Sequence, residues 1–259
     1  MDSTIMYTLG IDVGSVSTKA VLFDGTSYQY LIMTTGFSPK SIGQEARDLL
    51  LNKAGISLNQ VAKTIGTGYG RIHMPYADKT TNELTCHGKG VHFLYPDAGA
   101  VIDIGGQDSK VILLDERGRV RDFLLNDKCA AGTGRFLQVT SQALGIDLDE
   151  IDYVTEGQQP VEIGSMCAVF AETEVLNLIV HGHAPGAVLA GVLKSIAVRM
   201  TAMAAKLYSG NEIVFTGGLA NSFMLRKMFA NQSGWTVYVP KQPQIMGALG
   251  AAVIGYEMI

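Results

Sequence analysis

The residues best suited to chemistry lie in one short stretch near the start of the chain, residues 10–24, which reads G-I-D-V-G-S-V-S-T-K-A-V-L-F-D. The stretch is apolar, breaks at Gly14 and Ser15, and becomes apolar again after Lys19, which predicts two strands joined by a tight turn. Small residues, hydroxyls, backbone N–H groups and a lysine in such a turn suit a phosphate chain. Asp12, just before the turn, could hold a hydrated Mg²⁺ against those phosphates.

The same pattern returns at residues 101–115, V-I-D-I-G-G-Q-D-S-K-V-I-L-L-D, and places Asp103, Gly105 and Lys110 at the positions of the first aspartate, glycine and lysine. An internal repeat of this kind indicates two similar halves. We expect each half to open with a β-hairpin whose turn faces a shared cleft, where the two turns hold a nucleoside triphosphate and its metal. Two unrelated hairpins are the less favoured interpretation, because core packing does not select repeated Asp, Gly and Lys. The candidate phosphate contacts are Gly14, Ser15, Ser17, Thr18 and Lys19 in the first turn and Gly105, Gly106 and Lys110 in the second.

Composition limits the kinds of partner. The chain has 259 residues, of which 47% are hydrophobic and 17% charged, with a formal net charge of −4. Because there is no Lys/Arg block, neither nucleic acid nor a membrane surface is expected as a partner. The N-terminus lacks the pattern of a signal peptide, so we expect a cytoplasmic protein. The most apolar segment, residues 187–207, contains Lys194, Arg199 and Lys206 and predicts a buried helix, not a membrane span.

The remaining patterns predict the elements around the hairpins. We expect helices over residues 38–54, 78–93 and 185–206, the second of them interrupted or ended by Gly88 and Gly90. A buried strand from Glu212 ends in the double glycine Gly217-Gly218, where a flat ligand such as adenine could lie; a turn or packing role is equally compatible with that pattern. The Gly/Ala-rich segment 244–256 predicts a helix that packs closely on a neighbour. The expected domains are residues 1–98, completed by the C-terminal helix 244–259, and residues 99–243.

Two of the three cysteines share a context. Cys129 and Cys167 each stand immediately before a predicted helix start, where the helix N-terminus favours a thiolate or an anionic cluster. Two thiolates per chain are half of a four-cysteine set, so a twofold dimer could complete one site for Zn²⁺ or a [4Fe–4S] cluster. Burial as a small hydrophobe is the alternative for both. Cys86, in a predicted helix, is assigned to the core.

Together these motifs resemble a known group. The two hairpins and F-T-G-G at 215–218 resemble the two phosphate motifs and the adenosine motif of the acetate kinase, sugar kinase, Hsp70 and actin superfamily. Within it, N-D-K-C-A-A-G-T-G-R-F at 126–136 and C-A-V-F-A-E-T-E at 167–174 resemble one branch. That branch comprises the ATP-dependent activators (component A) of 2-hydroxyacyl-CoA dehydratases, of the 2-hydroxyglutaryl-CoA dehydratase activator type, in the BadF/BadG/BcrA/BcrD ATPase family. Val16 departs from the family, which more often has Thr there.

The resemblance implies an α/β protein of duplicated RNase H-like domains with an ATP cleft between them. It also implies a homodimer with one [4Fe–4S] cluster that bridges the two chains and is ligated by Cys129 and Cys167 of each. In this family a reduced ferredoxin or flavodoxin supplies an electron. ATP binding and hydrolysis then drive that electron into the dehydratase component, which makes a ketyl radical that permits loss of water from a 2-hydroxyacyl-CoA.

Hydrolysis of ATP would need a group that orients water and charges that stabilise the transferring phosphoryl group. Gln107 and Asp108 are the candidates for the water, and the charges would come from Lys19, Lys110 and a Mg²⁺ held through water near Asp12 and Asp103. The candidate ATP-binding set is completed by Gly132, Thr133, Gly134, Gly217, Gly218, Asn221 and Gln244.

Three alternatives remain at this point. A small-molecule kinase of the same superfamily would share the ATP site but gives no reason for the two helix-start cysteines. An Hsp70-like or actin-like interaction module would leave those cysteines buried and inert. An ATPase component of a benzoyl-CoA reductase is possible within the family, although one chain that carries both cysteines and forms a homodimer favours the dehydratase activator.

Overall fold

The computed structural model describes residues 6–164 and 168–259. The chain divides into two compact units, the first made of residues up to Gly99, Leu114–Arg121 and Lys241–Ile259, and the second of Ala100–Leu113 and Asp122–Pro240. The strands are β1 (Tyr7–Val13), β2 (Ser17–Phe23), β3 (Tyr28–Thr34), β4 (Val61–Thr67), β5 (Lys79–Thr80), β6 (Ala100–Ile104), β7 (Ser109–Leu114), β8 (Val120–Asn126), β9 (Glu212–Thr216) and β10 (Thr236–Tyr238). The helices are α1 (Pro39–Ala54), α2 (Glu83–Leu94), α3 (Gly134–Ala143), α4 (Ile151–Thr155), α5 (Ala168–Val180), α6 (Pro185–Ala205), α7 (Phe223–Ser233) and α8 (Met246–Tyr256).

Each unit is built on a five-stranded mixed sheet, and the two sheets have the same strand order. The first runs β3-β2-β1-β4-β5 and the second, read from the same edge, β8-β7-β6-β9-β10. In both, the hairpin strands are antiparallel (β1 with β2, β6 with β7), whereas the central strand pairs in parallel with a later one (β1 with β4, β6 with β9). The predicted hairpins and the predicted duplicated α/β fold are therefore confirmed.

Helix α2 begins later than the sequence pattern predicted. Asn82 is its N-cap and accepts a hydrogen bond from Thr85 N at 3.1 Å, so the helix starts at Glu83 and not at residue 78. Residues 79–80 form β5 instead. The prediction that Gly88 and Gly90 interrupt or end this helix was wrong, because it continues to Leu94.

The glycines of α2 and α8 allow the two helices to touch. A Cβ atom on Gly250 would overlap the carbonyl oxygen of Cys86, and one on Gly90 would overlap that of Met246. Helix α8 also lies on β1, where Thr8 Oγ1 donates to Ala252 O at 2.8 Å. The predicted close packing of the Gly/Ala-rich helix is confirmed, and it joins the C-terminal segment to the first sheet.

The core of the second unit surrounds α6. Leu189, Val192, Leu193 and Ile196 are fully buried there, each contributing about 1.5–3 kcal/mol by leaving water. Within the described residues, α6 is the one helix long and apolar enough to span a membrane, with a mean hydropathy of 1.5, but 56% of that window is buried inside the protein. This is the arrangement of a core helix, so the prediction of a buried helix is confirmed.

Candidate active site

The first hairpin pairs a buried carboxylate with a lysine. Asp12 at the end of β1 is opposite Lys19 on β2, with 3.6 Å between Asp12 Oδ2 and Lys19 Nζ. Asp12 is only 5% exposed. Gly14 N donates to Ser17 O at 3.1 Å and closes the turn, which leaves Ser15 exposed at its tip.

Thr18, a predicted phosphate contact, has its hydroxyl inside the protein. Its Oγ1 lies 3.0 Å from Thr35 Oγ1, and Thr35 Oγ1 donates to Gly14 O at 2.8 Å. The Thr18 hydroxyl therefore stabilises the turn indirectly. It is hydrogen-bonded to the Thr35 hydroxyl, which in turn donates to the carbonyl oxygen of Gly14 in the turn.

The second hairpin repeats this arrangement more tightly. Asp103 on β6 is opposite Lys110 on β7, and Lys110 Nζ lies 3.2 Å from Asp103 Oδ2 and 3.1 Å from Asp108 Oδ1. Asp103 and Lys110 are each 3% exposed. Gly105 N donates to Asp108 O at 2.9 Å and closes the turn, whereas Gln107 is exposed. The two residues predicted to orient water therefore differ: Asp108 is engaged with the buried lysine, and Gln107 faces solvent.

The structure extends the repeat to a third strand, which the sequence comparison missed. Thr67 at the end of β4 is opposite Asp12, and Thr216 at the end of β9 is opposite Asp103. Each threonine is followed by a glycine with positive φ, 85° at Gly68 and 89° at Gly217, and then by a short 3₁₀ helix. The sequence signal is I-G-T-G at 65–68 and V-F-T-G at 214–217.

Within the second unit, three predicted ATP-binding segments lie together. Gly134 N donates to Gly105 O at 2.9 Å and Arg135 N donates to Gly106 O at 2.7 Å, so the start of α3 is bonded to the β6–β7 turn. A Cβ atom on Gly134 would touch the Leu219 side chain, which belongs to the 3₁₀ helix after Gly217. Gly132 packs beside the Asn126 amide, and the Thr133 hydroxyl is buried and donates to Ala130 O at 2.7 Å.

The two other predicted ATP-binding residues lie at turns. Asn221 is exposed, and its Nδ2 donates to Gly218 O at 3.2 Å. Gln244 is in the 3₁₀ turn Pro243–Ile245 of the first unit, directly before α8. That turn lies beside β2.

Cys129 is connected to the second hairpin through one side chain. The half-buried cysteine precedes the 3₁₀ turn Ala130–Gly132 that leads into α3. Asn126 Nδ2 donates to Cys129 O at 2.9 Å and to Ser109 Oγ at 3.3 Å, while Cys129 N donates to Asn126 Oδ1 at 3.3 Å. Ser109 is the first residue of β7 after the turn, so the hairpin and the cysteine share one hydrogen-bonded network.

The predictions for Cys86 and Cys167 stand differently. Cys86 is fully buried on α2, which confirms its assignment to the core. Burial raises the pKa of its thiol to about 12, so it stays protonated. Cys167, the second predicted cluster ligand, lies outside the described residues.

The chemistry of the described residues can be compared with the two groups predicted to bind, Mg²⁺ and an iron–sulfur cluster. Among residues 6–164 and 168–259, no group of three or more His, Cys, Asp or Glu side chains is placed to hold a metal ion. Mg²⁺ prefers oxygen ligands and usually keeps several waters, which fits one buried carboxylate at the end of each hairpin's first strand. A half-buried thiol is chemically suited to an iron–sulfur cluster, whose ligands are cysteine thiolates.

Comparison with known proteins now defines the class. Residues 9–255 match the model of the BadF/BadG/BcrA/BcrD ATPase family, so the chain belongs to that family and is an ATPase of this type. The sequence resemblance is thereby confirmed.

Among individual proteins, the chain is 44% identical over 253 residues to the uncharacterised protein YjiL of Escherichia coli, covering 97% of this chain and 98% of that protein. It is 41% identical over 254 residues to the activator of lactoyl-CoA dehydratase of Anaerotignum propionicum, and the match covers 97% of this chain and 98% of that protein. It is 37% identical over 260 residues to the (R)-2-hydroxyglutaryl-CoA dehydratase activating ATPase of Acidaminococcus fermentans, covering 97% and 98%. A benzoyl-CoA reductase component of Thauera aromatica is 32% identical over 262 residues, covering 96% and 92%.

Solved structures agree with this assignment. The (R)-2-hydroxyglutaryl-CoA dehydratase component A of Acidaminococcus fermentans matches with a TM-score of 0.93 and 36% identity, covering 98% of both chains. The activator of the 2-hydroxyisocaproyl-CoA dehydratase from Clostridium difficile, solved with bound ADPNP, matches with a TM-score of 0.90 and 36% identity, covering 98% and 95%. A ROK family glucokinase of Streptomyces griseus, at 14% identity and a TM-score of 0.59 with 97% and 99% coverage, shares the fold alone.

Proposed function

We propose that this chain is an ATP-hydrolysing iron–sulfur activator that delivers a low-potential electron to a 2-hydroxyacyl-CoA dehydratase and so starts its radical dehydration. The observation that carries the proposal is the hydrogen-bonded path from the Asp103–Lys110 hairpin through Asn126 to Cys129. A cysteine bonded to a turn that is proposed to bind phosphate would allow nucleotide binding to act on a redox centre held by that cysteine. The family supports the same conclusion, since relatives covering nearly the whole chain are named as dehydratase activators.

For ATP hydrolysis, the proposed roles follow from burial and charge. Lys19 and Lys110 stabilise negative charge on the phosphates, and the backbone N–H groups of both turns contact phosphate oxygens. A Mg²⁺ supplied with ATP would be held through water near Asp12 and Asp103 and would neutralise part of the phosphate charge. Gln107, which is exposed in the second turn, is the preferred residue to orient the attacking water. Asp108 positions Lys110, to which it is bonded at 3.1 Å.

For electron transfer, Cys129 and Cys167 are the proposed ligands of one [4Fe–4S] cluster per homodimer, which would accept and donate the electron. Two ligands per chain require two chains to complete the set. A nucleotide shifts a conformational equilibrium only by binding the two states with different affinity. The bonds from Gly134 and Arg135 to the turn carbonyls of Gly105 and Gly106 would transmit such a difference to the segment that carries Cys129.

The proposed partners follow from this role. The electron donor is a reduced ferredoxin or flavodoxin, and the acceptor is a 2-hydroxyacyl-CoA dehydratase component, all in the cytoplasm. The identity to dehydratase activators, 41% and 37%, exceeds the 32% to the benzoyl-CoA reductase component, which favours the dehydratase as partner.

The deciding experiment is iron and acid-labile sulfide analysis of anaerobically purified protein, with absorption spectra before and after exposure to air. One bridging cluster predicts about four of each per dimer and bleaching in air. Cys129→Ser and Cys167→Ser should each lose the iron, and Cys86→Ser, a matched control in the core, should keep it. A wild-type protein without iron after anaerobic reconstitution would refute the activator proposal and leave an ATPase whose cysteines serve another purpose.

A further inference from the structure

Each unit has one aspartate, one lysine and one threonine on adjacent strands, and we call these three residues the Asp–Lys–Thr set: Asp12, Lys19 and Thr67 in the first unit, and Asp103, Lys110 and Thr216 in the second. The two sets differ in the acceptor to which the threonine hydroxyl is bonded. In the second unit, Thr216 Oγ1 lies 3.0 Å from Asp103 Oδ1 and 3.3 Å from Ile102 O. In the first unit, Thr67 Oγ1 donates to Thr81 O at 3.0 Å. A hydroxyl group can donate only one proton. Thr67 donates its proton to the backbone carbonyl of Thr81, whereas the nearer acceptor for Thr216 is the Asp103 carboxylate.

We propose that Thr216 is a positioning residue for Asp103, a role that rests on the proposed ATPase function. Asp103 is bound at both oxygens, Oδ1 by Thr216 at 3.0 Å and Oδ2 by Lys110 at 3.2 Å. Two bonds from different strands fix the plane of the carboxylate, because rotation about its terminal torsion would break both. The hydrogen bond to an ionised acceptor is also stronger than one between neutral groups.

The location of Thr216 makes it suitable for this role. The residue is fully buried and lies opposite Asp103 on the neighbouring parallel strand, so the sheet register sets the distance between them. A β-branched side chain has few rotamers, which keeps its hydroxyl directed at one acceptor.

The effect of Thr216 reaches the turn through Lys110. That ammonium group bonds to both Asp103 and Asp108, so a rotated Asp103 would displace the lysine and disturb the turn that closes at Gly105. Charges that act on a transferring phosphoryl group must be fixed in advance to be effective. Thr216 therefore acts on hydrolysis through Asp103 and need not contact nucleotide itself.

The test compares Thr216→Val, Thr216→Ser and Thr155→Val in the full-length protein. Valine keeps the shape of threonine and removes the hydroxyl, and serine keeps the hydroxyl. Thr155→Val makes the same change at a fully buried threonine of α4, away from the hairpin, whose hydroxyl donates to Ile151 O at 2.7 Å. We expect Thr216→Val to lower kcat for Mg·ATP hydrolysis about tenfold or more with little change in KM, as for loss of a hydrogen bond to a charged group. Thr216→Ser should recover most of that loss. Thr155→Val should stay within about twofold of the wild type, since its hydroxyl proton is donated to a backbone carbonyl away from the hairpin.

A second measurement does not depend on activity. Crystal structures of nucleotide-free wild type and Thr216→Val should show the Asp103 carboxylate rotated in the variant and Asp12 unchanged. The proposal would be overturned by an unmoved Asp103, by an unchanged kcat in Thr216→Val, or by an equal loss in Thr155→Val. Failure of serine to restore activity would overturn it as well. A wild type that does not hydrolyse ATP would refute the proposed function instead, and the crystal structures would still decide the role of Thr216.

Discussion

Asn126 binds both backbone polar groups of Cys129: its Oδ1 accepts from Cys129 N at 3.3 Å and its Nδ2 donates to Cys129 O at 2.9 Å. The same Nδ2 donates to Ser109 Oγ at 3.3 Å, at the start of β7. One side chain thus connects the strand after the β6–β7 turn to the cysteine proposed to bind the cluster.

Removal of this connection should loosen the Cys129 segment. We expect Asn126→Ala to lower stability by about 1–3 kcal/mol, because it removes the side-chain hydrogen bonds to Cys129 N and Cys129 O. In cluster-free protein, iodoacetamide should label Cys129 faster in the variant, and Mg·ADP should slow labelling in the wild type more than in the variant. Asn126→Asp, which keeps the acceptor and loses the donor, should fall between them. Identical labelling with and without nucleotide in the wild type would contradict the coupling.

The Asp103–Lys110 pair should be essential for hydrolysis. Asp103→Asn keeps the size of the side chain and removes the charge that faces Lys110, which is 3% exposed. We expect kcat for ATP to fall about tenfold to a hundredfold, in line with the loss of a buried charge-assisted contact, while the iron content is unchanged. Asp97→Asn, in an exposed turn, makes the same chemical change away from the hairpin and should hydrolyse ATP normally. Normal turnover in Asp103→Asn would place the essential carboxylate elsewhere.

Cys86 should be unreactive in the native protein. Burial raises the pKa of its thiol from 9.0 to about 12, so at pH 8 essentially none of it is the nucleophilic thiolate. Mass spectrometry after alkylation of native, cluster-free protein should find Cys86 unmodified until denaturant is added. The raised pKa also means that protonation of this thiol favours the folded state, an effect that is complete below about pH 9 and lost as pH rises through about 12. Rapid native labelling at pH 8 would show that α2 and α8 separate readily.

The contact between α2 and α8 should tolerate no side chain at Gly250. Alanine is normally favoured over glycine in a helix by about 1 kcal/mol, but here the added methyl would overlap Cys86 O. We expect Gly250→Ala to lower stability by about 2–4 kcal/mol, as overpacking against rigid backbone does. Gly145→Ala is the control, since space around Gly145 is open and only its positive φ of 68° resists the change, at about 1–2 kcal/mol. Urea unfolding of both variants measures the difference, and equal losses would contradict the packing argument.

The turn between β7 and β8 should respond to acid. Hydrogen bonds from the backbone and side chain of Arg119 and from Arg117 N lower the pKa of Asp115 from 3.8 to about 2. A lowered pKa in the folded state means that the ionised form stabilises the turn above about pH 4 and that this contribution is lost as pH falls through about 2. NMR titration of the Asp115 carboxyl should give a midpoint near 2, and Asp115→Asn should remove this step. A midpoint near 3.8 would show that the turn is open in solution.

The part of the site that the sequence revealed was the part repeated at constant spacing. Asp12 and Asp103 are 91 positions apart (103 − 12), as are Lys19 and Lys110 (110 − 19), so a comparison without gaps finds them. Thr67 and Thr216 are 149 positions apart (216 − 67), because the segment between the hairpin and the parallel strand is longer in the second unit. That comparison could not pair them, although sheet register places them identically.

Competing hydrogen bonds explain why helix α2 starts later than the sequence pattern predicted. Residues 78–82 have a pattern compatible with helix, but Asp78 N bonds to Thr64 O at 2.9 Å and its carboxylate accepts from Thr64 N at 2.7 Å, which draws the segment to the edge of the first sheet. Strand β3 and helices α4 and α7 were not predicted from the sequence. Helix α7 begins at a local N-cap, since Ser222 Oγ accepts from Leu225 N at 3.1 Å. A distant residue adds to it, because Asp152 accepts from Phe223 N at 2.7 Å and from Met224 N at 3.1 Å.

By itself, then, the sequence determined the α/β class, the two hairpins with their aspartates and lysines, the buried helix α6 and the family, because each depends on local periodicity or on motifs continuous in the chain. Only the tertiary structure decided which side chains support those motifs. The bond from Thr216 to Asp103 joins residues 113 positions apart, and Asn126 reaches Ser109 across 17. Such contacts depend on strand register and on how closely backbones approach, and both of these arise only when the sheets and helices pack together.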